Sequence, residues 1–160
     1  MRRAPGSPLA LLLLLLVLPL APATTSCRGR DAAAPPPEGL VEVRGRTIPV
    51  EVADSAAEQE KGLGGRDGLA WGTGMYFPYA KPRFVAFWMK GMRFAIDIVY
   101  LRDGRIVEIH PQVPFDPASN GPTIRARSLV DAVLEVPAGQ AAAGGWQVGD
   151  RVRFERVRAE

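Results

Sequence analysis

The chain has little of what most catalytic and metal sites use: one cysteine, Cys27, and one histidine, His110, in 160 residues. No intrachain disulfide can form, and counting excludes a zinc site of the usual Cys and His composition. Cys/His catalysis falls for the same reason. A Ser/His/Asp triad would have to use His110, and neither Ser119 nor Ser128 sits on a nucleophile elbow. There is no phosphate-binding loop either. "GLGG" (Gly62–Gly65) leads to Arg66 rather than to a Lys-Ser or Lys-Thr pair. A charge excess of one sign is also lacking: 20 basic residues stand against 17 acidic, and Arg2 and Arg3 account for two of the 20. Without that pair the chain is near neutral, which gives no reason to propose a nucleic-acid partner.

What is present begins with a leader. Arg2 and Arg3 precede the apolar run "LALLLLLLVL" (Leu9–Leu18), and small residues follow at Ala21, Ala23 and Ser26. This is the layout of a secretory signal over residues 1–26. Ten apolar residues are too few to cross a bilayer core that needs roughly 20. "APA" (Ala21–Ala23) offers a site for ordinary signal peptidase. "TTSC" (Thr24–Cys27) resembles a bacterial lipobox, in which Cys27 becomes the lipidated first residue. A lone thiol in an oxidising compartment is a liability, so lipidation gives Cys27 a purpose. The expectation is an exported protein anchored by lipid at the cell envelope and facing the periplasm; the alternative is a soluble periplasmic or secreted one. Residues 28–39, "RGRDAAAPPPEG", are small, polar and proline-rich, and with Cys27 read as a disordered tether.

Residues 40–160 fit one domain. Their period is mostly two. "TIPVEVA" (Thr47–Ala53) alternates, and "LVDAVLEV" (Leu129–Val136) puts Val130, Ala132, Leu134 and Val136 on one face, with Asp131 and Glu135 facing outward. "RVRF" (Arg151–Phe154) repeats the pattern, and Asp103-Gly104 joins two apolar runs into a hairpin. "DSAAEQEKG" reads as a helix, with Ser55 and Glu58 in capping-box spacing and Gly62 at its end. A shorter helical turn falls within Pro137–Gly145. The fold class this predicts is mostly β: a compact antiparallel sandwich or barrel-like domain with one or two short helices.

Two groups of residues could carry chemistry. Asp97 lies in "AIDIVYL", where both strand faces are apolar, so its carboxylate is expected to be buried. A buried carboxylate demands a partner. Arg66, Lys90 and Arg93 are the candidates, the outcome being an ion pair or a turn-capping hydrogen bond; a catalytic or ligand-binding acid is the alternative. The second group is Met75, Phe77, Phe84, Phe87, Trp88, Met89 and Met92, crowded into one segment. Core packing explains most of it. The alternatives are a soft-metal site with His110, since methionine favours Cu(I), or a concave aromatic patch for a small molecule or glycan.

The order of motifs from Glu58 onward resembles the bacterial and archaeal family called domain of unknown function 192. The matching elements are Gly62, Leu63 and Arg66; Gly74, Met75 and Phe77; Phe87 to Lys90; Ile96 to Ile98; Leu134, Glu135 and Gly139; and Gly149 with Asp150. Gly91-Met92 stands where the family often has Asn-Thr, and Ala95-Ile96 where it usually has Pro-Leu. The resemblance implies a compact, mostly β domain, often exported, and no established activity. It also makes Arg66 and Lys90 shared polar positions and so partners for Asp97.

The expected function is a non-enzymatic domain binding an envelope ligand or protein, with Arg66, Trp88, Lys90 and Asp97 as pocket residues. No cofactor or catalytic residue is assigned. The alternatives are an envelope enzyme using Asp97 with Lys90 or Arg66 on a glycan, and soft-metal binding through Met, Trp and His side chains.

Overall fold

Two short turns bend the backbone into its hairpins. Arg44 and Gly45 both take positive φ (51° and 74°), as do Asp103 and Gly104 (50° and 67°). Two residues with positive φ make the turn whose twist matches antiparallel strands. The first joins β1 (Gly39–Val43) to β2 (Arg46–Val52), and the second joins β5 (Ile96–Arg102) to β6 (Arg105–Val113). Asp-Gly announces the second turn; Arg-Gly, without a residue that favours positive φ in its first place, conceals the first.

The computed structural model describes residues 36–157. The expected leader, Cys27 and most of the expected tether lie outside the described residues. The other elements are α1 (Ala56–Lys61), β3 (Gly74–Arg83), β4 (Ala86–Trp88), β7 (Thr123–Arg125), β8 (Val130–Pro137), α2 (Gln140–Ala143) and β9 (Val152–Arg156). Seven strands form one sheet in the order β6-β5-β8-β3-β2-β1-β9, and β4 pairs with β7 in a separate ribbon. The mostly β expectation holds. Pairing is antiparallel except between β2 and β3, which run parallel because α1 carries the chain from one to the other.

The sheet curls until its edge strands approach. Arg105 bridges to Arg151, and the Val152 N–H donates to the Gly104 carbonyl at 2.8 Å. Strand β1 starts at Gly39, where a Cβ would lie 2.4 Å from the Phe154 ring, so a side chain there would displace the β9 edge. Glu38, just ahead of it, accepts the Val52 N–H at 2.8 Å.

Both faces of the sheet are covered, so there are two cores. One contains Val41, Val50, Val99, Leu134 and Trp146; the other contains Leu63, Phe77, Met89, Met92, Ile98, Tyr100 and Val133. β5 buries both of its faces, as its apolar run around Asp97 requires. The capping box of α1 forms as read: Ser55 Oγ accepts from the Glu58 N–H, and the Ser55 N–H donates to Glu58 Oε2 at 3.0 Å.

Candidate functional site

Asp97 is fully buried, and its partners correct the expectation of a basic one. Its carboxylate takes three backbone N–H groups: Gln112 at 2.7 Å and Gly139 at 2.9 Å on Oδ1, and Ala141 at 2.9 Å on Oδ2. The β5–β6 register shifts between Ile96 and Ile98, and Gln112 takes a φ of 50°. That irregularity aims the Gln112 amide at Asp97, while the turn into α2 supplies the other two. The basic residues are engaged elsewhere. Arg66 forks onto Glu51, with Nη2 2.8 Å from Oε2, Arg93 pairs with Asp67, and Lys90 lies over the Trp88 ring. Asp97 is thus a fastener between β5, β6 and α2, which is the turn-capping form of the structural reading.

An open concave site lies elsewhere. α1 and the Gly62–Gly64 turn make one wall of a cleft, and the arm from Arg83 through β4 makes the other. The β3–β8 register shifts between Pro78 and Arg83, which releases the chain from the main sheet, and β4 is then held by β7. The cleft has a volume of about 280 Å³. Phe77, Tyr79 and Met92 line it together with Phe84, Phe87 and Trp88. Phe87 meets Phe77 edge-on at 4.9 Å between centroids, which fixes the arm against the core. Phe84 and Trp88 are left 65% and 49% exposed. Lys61, Arg83 and Lys90 add basic groups to the lining, with Arg83 over the Tyr79 ring at 5.5 Å.

Glu135 also lines this cleft and is 5% exposed. The alternation in β8 predicts an outward-facing Glu135, and the structure buries it instead. Strand alternation is right, but the face opposite Leu134 and Val136 is the second core rather than solvent. Across the sheet, Met75 pairs with Glu51 on one side and Glu135 on the other. Arg66, gripped by Glu51, therefore acts on Glu135 through space. Burial pushes the Glu135 carboxyl up to about 8, against the opposing pull of Arg66. Burial likewise raises Tyr79 and Tyr100, and the Glu135 charge adds to both shifts.

Of the four sequence-predicted pocket residues, Trp88 and Lys90 line the cleft; Arg66 lies outside its lining and Asp97 belongs to a different junction. An acid–base grouping of Asp97 with Lys90 or Arg66 does not assemble. The methionines serve the core, with Met75, Met89 and Met92 all buried, and the Gly91 turn at φ 71° puts the latter two in one cluster. His110 is bonded to Glu108 and stands edge-on to Tyr100. The aromatic segment thus divides into core members and cleft members. The signal that could have found Glu135 is its place between Leu134 and Val136, with the apolar Val133 as its neighbour on the same face.

Residues 39–154 match the family model DUF192, described as Uncharacterized ACR. Two crystal structures are similar to this chain. One is a proposed transcription regulator from Sinorhizobium meliloti 1021, at 32% identity, covering 72% of this chain and 91% of that one, with a TM-score of 0.64. The other is a protein of unknown function from Novosphingobium aromaticivorans DSM 12444, at 30% identity, covering 76% of this chain and 94% of that one, with a TM-score of 0.65. No curated protein matches.

Proposed function

The chain belongs to the DUF192 family, and on that premise we propose that it is a non-enzymatic, ligand-binding domain of the cell envelope. Its site is the cleft between α1 and the β4 arm. One observation carries this reading: Phe84 and Trp88 border a concave opening with much of their surface in water. Covering such rings removes apolar area from water, at about 25 cal/mol per Å². A few polar groups in an aromatic-lined hollow are the usual composition of a small-molecule site. Binding is favoured over catalysis because the ionisable groups of the lining, Glu60, Lys61, Tyr79, Arg83, Lys90 and Glu135, form no hydrogen-bonded acid–base or nucleophile–base pair with one another among the described residues, while aromatic rings dominate the walls.

The test is a titration of ¹⁵N-labelled protein with a panel of fragment-sized compounds, followed by NMR. Binders are expected to shift the Trp88 indole N–H, and Trp88→Ala is expected to weaken them by roughly tenfold, as hot-spot aromatics do. Binders that all map away from Trp88 and Glu135 would sink the assignment of the site.

The envelope location rests on the leader and on Cys27. The leader exports the chain, and the lipid on Cys27 holds it at a membrane, with a second signal needed for tight anchoring. The designation of the Sinorhizobium relative is not extended to this chain, whose leader and near-neutral remaining charge disfavour a nucleic-acid role. In the producing cell, wild-type protein is expected in the detergent phase and Cys27→Ser in the aqueous phase. A soluble wild-type species starting at Thr24 would overturn the anchor.

A further inference from the structure

We propose that the ligand of this cleft carries a cationic amine, seated over Glu135 among the rings of Phe77, Tyr79, Phe84, Phe87 and Trp88. The inference rests on the ligand-binding reading above and gives that ligand its chemical class. Glu135 is the starting point. It is a buried residue on the wall of an open cleft, and among the described residues its carboxyl feels burial and the Arg66 charge but receives no hydrogen bond. Its oxygens are not among the fully enclosed unpaired side-chain atoms of the described residues, which are Arg102 Nη1 and Trp146 Nε1, so they stay open to the cleft. A carboxyl open to a hollow with no donor of its own leaves a place for one.

Arg66 does not fill that place. Its Nη1 and Nη2 are both directed at Glu51. The other titratable groups that act on Glu135 or feel its charge are Tyr79 and Tyr100, and the Tyr100 hydroxyl donates to the Ile124 carbonyl at 3.0 Å. Lys61, Arg83, Lys90 and Glu60 also line the cleft. All four are exposed, so water weakens their charges, and Arg83 and Lys90 are held against the Tyr79 and Trp88 rings, whereas Glu135 is buried and screened far less.

Five aromatic residues around one carboxyl form a site for a cation, because ring faces attract positive charge and the carboxylate neutralises it. The protein already uses two of these rings in this way, with Arg83 over Tyr79 and Lys90 over Trp88. A volume of about 280 Å³ lies at the small end of ligand pockets, which suits a compact ammonium headgroup. In the empty cleft burial favours the neutral acid, so an arriving cation releases the Glu135 proton.

The probes are choline and its neutral isostere 3,3-dimethylbutan-1-ol, which share a shape and differ in charge. Each is titrated into wild-type and Glu135→Gln protein, with the Trp88 indole resonance as the readout. Choline is expected to bind at least about tenfold more tightly than the isostere, and to lose about that factor in Glu135→Gln. Its affinity should rise about tenfold or more between pH 6 and pH 9, while that of the isostere stays level. Equal binding of the two probes, or choline binding unchanged in Glu135→Gln, overturns the amine and leaves the ligand-binding reading standing. No Trp88 shift with choline also overturns it, and the fragment panel then decides the broader reading separately. Folding is not at issue, because the amide matches the shape of the protonated acid.

Discussion

Asp97→Ala is expected to destabilise the domain by about 3–6 kcal/mol, enough to consume much of a typical stability of roughly 5–15 kcal/mol. The carboxylate accepts from Gln112, Gly139 and Ala141, and all three donors are backbone amides. Hydrogen bonds to a charged group contribute about 1.5–3 kcal/mol each, and buried amides left without an acceptor add their desolvation. Non-additivity keeps the total below the simple sum. Gln112 also holds a φ of 50°, which for a residue other than glycine is maintained only while something compensates. Asp97→Asn keeps one oxygen for Gln112 and Gly139 but turns an NH₂ toward the Ala141 N–H, donor against donor. Its expected cost is about 2–4 kcal/mol. Urea unfolding of the three proteins measures both values. A loss below about 1 kcal/mol in Asp97→Ala would mean that the three bonds do not fasten α2 to the sheet.

Glu135→Gln is expected to act in the opposite direction and to depend on pH. The carboxyl titrates near 8 in the folded protein and near 4.5 when unfolded. Between those values the folded state holds a proton that the unfolded state has released. Stability therefore falls as pH rises from about 4.5 to about 8, and is level beyond. Glutamine has no proton to lose and escapes this decline. At pH 9 the variant should be more stable than wild type by about 3–5 kcal/mol, the upper end being the full shift at about 1.4 kcal/mol per unit. At pH 4 the two proteins should agree within about 1 kcal/mol. Thermal or urea unfolding at both pH values provides the comparison. An equal difference at pH 4 and pH 9 would place the Glu135 carboxyl in water rather than on a buried wall.

The two acids show why a local pattern goes only part of the way. Each is an acid flanked on both sides by apolar residues within a strand. For Asp97 the neighbours on both faces are apolar, so burial is legible, and the structure agrees. What cannot be read is the partner, because Gln112 and Ala141 lie 15 and 44 residues further along. A backbone amide also carries no side-chain signature, so attention goes to Arg66 and Lys90 instead. For Glu135 the alternation is legible and the environment is not. Whether the second face of a strand meets water depends on what the rest of the chain lays over it, and here Leu63, Met89 and Met92 do so.

The sequence alone determined the elements whose causes are local. The capping box at Ser55 and Glu58 starts α1, Asp103-Gly104 turns β5 into β6, and period-two alternation marks β2, β8 and β9. Each is set by interactions within a few residues, so it can be read without knowing the fold. Family membership was legible for a related reason, since several such motifs recur in order. Tertiary structure alone decided the sheet order, the parallel pairing of β2 with β3, and the separation of Asp97 from the cleft. It also decided that Trp88 and Phe84 stay open to solvent while Met89 and Phe77 beside them are buried. Those outcomes depend on which surfaces meet at long range: hydrophobic burial is non-directional, and only closure of the sheet and docking of the arm select the faces that lose their water.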